Sequence, residues 1–103
     1  MPVPKRKPGT VGEILREEFM EPLGLTQQEV ADAMGVSRRL VNELCNDRRG
    51  LTTETAIMLG IAFGTSHEFW LNIQANAEAW EVHNIPRRRE RIAKAHPIAA
   101  CAV

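Results

Sequence analysis

Two short helical segments joined by a tight turn occupy the middle of the sequence, residues 26–46. Thr26 and Glu29 have the spacing of a capping box, in which each side chain accepts a backbone N–H at the start of a helix. Gly35 is suited to end that helix after about two turns, and Ser37 can cap the next helix at once. Helices joined by so short a connection must cross steeply, and this crossing constrains the fold more than any other feature of the chain.

The apolar positions of this segment match those of a helix-turn-helix. Ala31 is small where the two helices meet, and Gly35 stands where the turn requires a positive φ. The other positions expected to be buried are Val30, Met34, Val36, Val41 and Leu44. Because all seven positions agree at once, the sequence predicts a helix-turn-helix unit of the kind that binds DNA.

The rest of the chain is also predicted to be helical, because no alternation of apolar and polar residues persists outside the C-terminal tail. Five helices are expected, at about residues 11–21, 27–34, 38–46, 53–63 and 67–83. The fold is therefore predicted to be all-α, with a domain at residues 10–84 between a basic arm, residues 1–9, and a basic tail, residues 85–103. Ile85-Pro86 breaks the last helix, so we expect the tail to be mobile or to depend on a partner.

The charges of the chain cancel in total but are unevenly distributed. Thirteen Lys and Arg residues balance 13 Asp and Glu residues. Both ends are basic, whereas acidic residues are concentrated in two clusters, residues 13–21 and 68–81. Local fields rather than the total decide what a surface attracts, so zero net charge is compatible with a nucleic-acid interface.

Several classes of protein are disfavoured by what the sequence lacks. No apolar stretch follows the basic start and no apolar run is long enough to cross a bilayer, so a cytoplasmic protein without membrane contact is expected. Cys45 and Cys101 lie far apart and lack metal-ligand spacing, so neither a disulfide nor a metal site is expected. No paired metal-binding histidines and no glycine-rich phosphate loop occur, so no cofactor and no enzymatic activity are predicted.

Two pairs of arginines flank the second helix of the motif in the stretch SRRLVNELCNDRRG. Val41 and Leu44 are expected to face inward. The outer face or leading turn then carries Ser37, Arg38, Arg39, Asn42 and Glu43. Arginine can bind guanine and asparagine can bind adenine through paired hydrogen bonds in the major groove, although an arginine pair alone is as often simply solvated. Arg48 and Arg49 follow in a loop suited to phosphate, or to capping a helix end, and Gln27 is a further candidate phosphate contact.

The last predicted helix has more apolar surface than one core stripe needs. Trp70, Ile73, Ala77 and Trp80 recur at helical spacing. Trp70 and Ile73 are equally consistent with core positions, whereas Ala77 and Trp80 extend beyond the core that such short helices can build. We therefore predict a homodimer in which a twofold-related helix buries these four residues.

Two longer segments carry a family resemblance. VGEILREEFMEPLGLTQQEVADAMGVSRRLVNELCNDRRGLT and TAIMLGIAFGTSHEFWLNIQ resemble the HigA family of antitoxins, within the larger Cro/CI-type, lambda repressor-like group. GEILREEF and EFWLNIQ are specific to this branch. The resemblance implies a five-helix dimer that binds an inverted repeat in its own promoter and blocks a RelE-like mRNA ribonuclease, HigB. The DNA-contacting positions that it implies are Gln27, Ser37, Arg38, Arg39, Asn42 and Glu43.

The chain departs from the family at the end of the motif, and one functional alternative stays open. Asn46-Asp47 stands where the family usually has Asn-Gly, so the loop that carries the second arginine pair is expected to differ in shape. A stand-alone repressor without a toxin partner would use the same dimer and the same DNA residues. A basic toxin would prefer the acidic clusters, but the residues themselves do not decide between these two functions.

Overall fold

The computed structural model describes residues 6–101, so residues 1–5 of the predicted arm and 102–103 of the tail lie outside the described residues. Within this range the chain forms helices and no strand, which confirms the predicted all-α fold. The helices are α1 over residues 11–23, α2 at Gln27–Met34, α3 at Arg38–Cys45, α4 at Thr53–Phe63, α5 at His67–Asn84 and α6 at Pro86–Ala93, followed by a 3₁₀ turn at Ala99–Cys101.

Helix α1 contains a π-helical turn that the sequence pattern does not predict. Its α-helical ends, Val11–Ile14 and Glu21–Leu23, are joined by π-helical Leu15–Met20. A π turn holds one residue more than an α turn. As a result, consecutive residues Phe19 and Met20 both contact the core, Met20 being buried and Phe19 partly buried against it.

The helix-turn-helix forms as predicted. Thr26 N–H donates to Glu29 Oε1 and Glu29 N–H donates to Thr26 Oγ1, each over 3.1 Å, so the capping box is complete. Gly35 ends α2 with φ +75°, a conformation that glycine adopts without steric cost. Ser37 Oγ then accepts the N–H of Leu40 over 3.1 Å and starts α3.

The core lies among α1, α2, α3, α4 and α5, each of which contributes buried residues. Its fully buried members include Leu15, Val30, Val41, Leu44, Leu59 and Trp70. An aromatic cluster extends this core, because Phe19 lies 4.9 Å from Phe63 and 5.0 Å from Trp70 between ring centroids. Leu40, although on the outer side of the motif by spacing, is partly buried and packs against the same core.

The position of Trp70 corrects one prediction about the dimer. Its side chain is 0% exposed, and its indole Nε1–H donates to Thr65 Oγ1 over 2.8 Å. Because the core of the same chain covers this side chain completely, a second chain cannot contact it. Trp70 is therefore a core residue and not part of an interface.

The tail also differs from expectation, because it begins with a helix. Ile85 has an extended backbone and Pro86 occupies the first turn of α6, where a missing N–H breaks no helical hydrogen bond. The Ile-Pro pair thus ends α5 and also starts α6, whereas the sequence pattern predicts that regular structure ends there. Among the described residues, no helix combines the length and hydropathy that crossing a membrane requires.

Candidate nucleic-acid interface

Helix α3 separates a buried apolar side from an exposed polar side. Val41 is 0% exposed and Leu44 1% exposed, whereas Arg38, Arg39 and Asn42 are exposed. We call the polar side the recognition face, and its members are Ser37, Arg38, Arg39, Asn42 and Glu43. The structure therefore brings together all five residues that the sequence pattern assigns to it.

The two helices of the motif are joined across this surface by a hydrogen bond. Asn42 Nδ2 donates to Gln27 Oε1 over 3.1 Å. The backbone carbonyl of Asn42 also accepts Asn46 Nδ2–H over 2.8 Å. Gln27 at the start of α2 thus borders the recognition face and restricts the rotamers of Asn42, which helps to fix the direction in which the amide points.

Glu43 connects the two arginine pairs, which the sequence pattern alone leaves separate. Its Oε1 lies 3.1 Å from Arg49 Nη2 and 3.7 Å from Arg39 Nε. The Arg39 side chain remains 88% exposed, so this pair contributes little to stability. The carboxylate instead restrains one guanidinium of each pair and lowers the local positive charge.

Asp47 fixes the loop that follows α3. We call residues 46–51 the arginine loop because it carries Arg48 and Arg49. Asp47 has φ +54°, and its Oδ1 accepts Gly12 N–H over 2.9 Å while Oδ2 accepts the Thr10 hydroxyl over 2.6 Å. The carboxylate therefore caps the N-terminus of α1 from a distant part of the chain.

Gly12 is required by this close approach. A Cβ atom at that position would lie 2.6 Å from the Cys45 carbonyl oxygen and 2.9 Å from Asp47 Oδ1. Both atoms belong to the segment that ends α3. A glycine in α1 thus lets the C-terminus of the recognition helix pack directly on the first turn of α1.

Two further side chains hold the arginine loop. Arg16 Nε donates to the Cys45 carbonyl over 3.0 Å, which satisfies one of the free acceptors at the end of α3. Gln74 of α5 accepts Leu51 N–H over 2.6 Å and donates to the Leu51 carbonyl over 3.2 Å. The loop is thereby anchored to α1 at one end and to α5 at the other, with exposed Arg48 and Arg49 between the anchors.

Arg16, Asp47 and Gln74 position the site, although sequence reasoning does not assign them to it. Asp47 gives the clearest signal, because it stands where the resemblance described above implies a glycine. Arg16 stands among acidic neighbours in the sequence, so its charge alone indicates no role at the end of α3. Gln74 gives no signal, since its partner Leu51 lies 23 residues away.

The remaining predicted interface residues of α5 lie at the edge of the core. Ile73, Ala77 and Trp80 are half-buried. Lys7 Nζ lies 6.0 Å from the centroid of the Trp80 ring, at the outer limit of a cation–π contact. The indole Nε1 of Trp80 is buried without an acceptor among residues 6–101. Part of each side chain thus remains open to a second molecule.

Cys45 is a core residue rather than a reactive thiol. It is 1% exposed, and its Sγ lies 3.7 Å from Met20 Sδ. Burial raises the pKa of the Cys45 thiol, and this effect outweighs the nearby Arg16 charge that lowers it. Within residues 6–101 no three His, Cys, Asp or Glu side chains are grouped as a metal site would require.

Comparison with known proteins identifies the same motif. Residues 17–70 match a family model described as helix-turn-helix. The chain is 44% identical over 94 residues to the HTH-type transcriptional regulator YbaQ of Escherichia coli K12, covering 91% of this chain and 83% of that protein. It is 48% identical over 80 residues to antitoxin HigA-1 of Vibrio cholerae, covering 78% of this chain and 75% of the relative.

A solved structure shows the same architecture on DNA. The Pseudomonas aeruginosa antitoxin HigA, determined with the higBA promoter, superposes with a TM-score of 0.77 at 31% sequence identity. The match covers 88% of this chain and 98% of that one. The fold thus agrees over nearly the whole length of both chains.

Proposed function

The chain belongs to the HigA family of helix-turn-helix proteins, and from this premise we propose that it represses its own operon by binding operator DNA as a dimer. Helix α3 enters the major groove, where Arg38, Arg39 and Asn42 contact base edges. Arg48 and Arg49 contact the phosphates beside it. The observation that carries the proposal is the exposed recognition face on a helix whose other side is fully buried.

Operator complexes of relatives support this assignment. The Pseudomonas aeruginosa HigA was solved with promoter DNA, and the present chain shares its fold over most of its length. Gln27, Ser37 and Glu43 complete the proposed interface, with Ser37 and Gln27 directed at phosphate. The half-sites of an inverted repeat would lie about one helical turn apart on the duplex.

We further propose that the chain neutralises a HigB-like ribonuclease toxin by binding it directly in the cytoplasm. A basic toxin requires an acidic surface. Glu78 and Glu81 are both contacted by Arg88 of the same chain, whereas exposed Glu17, Glu18 and Glu21 on α1 form no ion pair among the described residues. The first acidic cluster is therefore the better docking surface for the toxin.

A stand-alone repressor is the second candidate function, because YbaQ, which matches over 91% of the chain, is described as an uncharacterized HTH-type transcriptional regulator rather than as an antitoxin. The two candidates share the DNA interface and differ only in whether a toxin partner exists. Both require binding to the promoter of the chain's own gene.

One experiment tests both DNA binding and toxin binding. The tagged chain is expressed from its native locus with flanking genes intact, purified, and assayed for promoter binding and for the mass of any co-purifying protein. The antitoxin proposal predicts a stoichiometric basic protein that is toxic alone and that is lost from a Glu17→Gln, Glu18→Gln, Glu21→Gln variant. A bare chain that binds the promoter establishes the stand-alone repressor, and a chain that binds neither contradicts both functions.

A further inference from the structure

A forked ion-pair contact joins helix α6 to α5. Arg88 Nη2 lies 3.5 Å from Glu78 Oε1, and Arg88 Nη1 lies 3.4 Å from Glu81 Oε2. The two glutamates are three residues apart and share one face of α5. One guanidinium therefore bridges both carboxylates, a geometry that its planar set of donors allows.

With Arg88 paired, the rest of α6 presents unbalanced positive charge. Arg87, Arg89 and Arg91 are exposed, and Glu90 is the only acidic residue of the helix. Arg87 and Arg91 are four residues apart and lie on the same side. The helix thus offers a short row of guanidinium groups to a negatively charged partner.

This charged helix lies next to the arginine loop. Arg88 lines a cleft of about 380 Å³ whose other walls include Arg48, Arg49 and Gln74. The second arginine pair of the motif and the first turn of α6 therefore border one cleft, whose lining also includes the acidic residues Asp47, Glu78 and Glu81. The other arginines of α6 lie outside this lining, on the helix that forms one edge of the cleft.

We propose that α6 is a second, sequence-independent DNA contact, in which Arg87 and Arg91 bind phosphates next to those bound by the arginine loop. Arg88 acts as a positioning residue that orients α6 through Glu78 and Glu81 rather than touching DNA. The inference rests on the proposed DNA-binding function and extends the interface beyond the helix-turn-helix.

The composition of α6 favours DNA over an acidic protein as its partner. Protein interfaces have an apolar core, but α6 has the sequence PRRRERIA and exposes only one large apolar side chain, Ile92. A guanidinium group can bind two phosphate oxygens at once through two parallel hydrogen bonds, and this binding does not require apolar contacts beside it. A helix that carries positive charge but little apolar surface is therefore better suited to the phosphate backbone of DNA than to a protein.

The test compares salt dependence of binding on a duplex carrying the chain's own promoter and on a scrambled duplex. A variant with Arg87→Gln and Arg91→Gln should lower the slope of log affinity against log salt by about 3 to 4, because the proposed dimer loses two phosphate contacts per protomer and each contact removes roughly 0.9. Affinity for both duplexes should fall by the same factor. The ratio between them should stay at the wild-type value, since phosphate contacts carry no sequence information.

The positioning role of Arg88 is tested by charge exchange. Arg88→Glu should reduce the salt slope by more than the change in charge at residue 88 alone explains. The double variant Arg88→Glu, Glu81→Arg has the same total charge as the wild type, and it should recover part of the lost slope. An unfolding midpoint close to wild type in each variant separates positioning from stability.

Two results would overturn the inference. One is a double variant with the wild-type salt slope on both duplexes. The other is a double variant that binds DNA normally but loses a co-purifying protein, which assigns α6 to a protein partner. If the wild-type chain binds the promoter and the double variant binds it with the same affinity and salt slope, only α6 is reassigned. If the wild-type chain binds no DNA, the proposed function itself fails.

Discussion

At the residue scale, the two arginine pairs are expected to have different effects on DNA binding. Arg39 lies on the recognition face with its side chain 88% exposed, whereas Arg49 lies in the anchored loop. Arg39→Ala should cost about 1 to 3 kcal/mol at one base position of each half-site and relax the preference there. Arg49→Ala should weaken all sequences similarly and reduce the salt slope by about one for each protomer of the proposed dimer.

These two substitutions are checked by titrating promoter, point-mutated and scrambled duplexes at several salt concentrations. Glu43 contacts both arginines, so Glu43→Gln is a companion variant that releases both guanidiniums without removing either. Equal losses on specific and scrambled DNA for both alanine variants would contradict the division between base and phosphate contacts.

At the scale of elements, the link between α1 and the arginine loop should be measurable as stability. Asp47→Ala removes two hydrogen bonds to the start of α1 and leaves a Cβ-bearing residue at φ +54°. We expect the free energy of unfolding to fall by about 1 to 2 kcal/mol, within the range for cap removals in folded proteins. Asp47→Asn should lose less, because asparagine tolerates this φ and keeps an acceptor for Gly12 N–H.

Urea unfolding of the two Asp47 variants and the wild type gives the comparison. An Asp47→Ala protein with the wild-type midpoint would mean that the cap contributes nothing. If the loop is loosened as argued, the same variant should also bind scrambled DNA more weakly, since Arg48 and Arg49 lose their fixed position.

The elements that can be predicted from the sequence are those specified by local signals. Thr26, Glu29 and Ser37 act within one turn of chain, so the amino-acid pattern alone is enough to place α2 and α3. The Asp47 cap joins residues 35 positions apart, and no local pattern contains it. The π turn in α1 escapes prediction for a similar reason, because it depends on which neighbours Phe19 and Met20 meet.

At the scale of the whole molecule, the dimer remains a prediction carried by Ile73, Ala77 and Trp80. Trp80→Ala should convert the dimer to a monomer of 11.5 kDa in light scattering, because half-buried apolar surface on α5 is lost. Ala77→Glu places a charge on the same face and should have the same effect without removing a large side chain.

The matched control for the dimer is Ile61→Ser on α4, a side chain that is 76% exposed. If this variant is monomeric while Trp80→Ala remains dimeric, the interface lies on α4. Trp70 and Trp80 illustrate why the sequence does not settle this assignment: both recur at helical spacing, and only the positions of α1 and α4 decide which indole is enclosed.

The exposure of the recognition face has a consequence for changing the DNA target of this scaffold. Arg38 and Arg39 are exposed, so the core does not depend on which side chains occupy their positions. Surface substitutions of this kind usually alter stability by less than about 0.5 kcal/mol. A library randomised at these two positions should therefore fold almost uniformly, and selection on it would sort variants by operator preference alone.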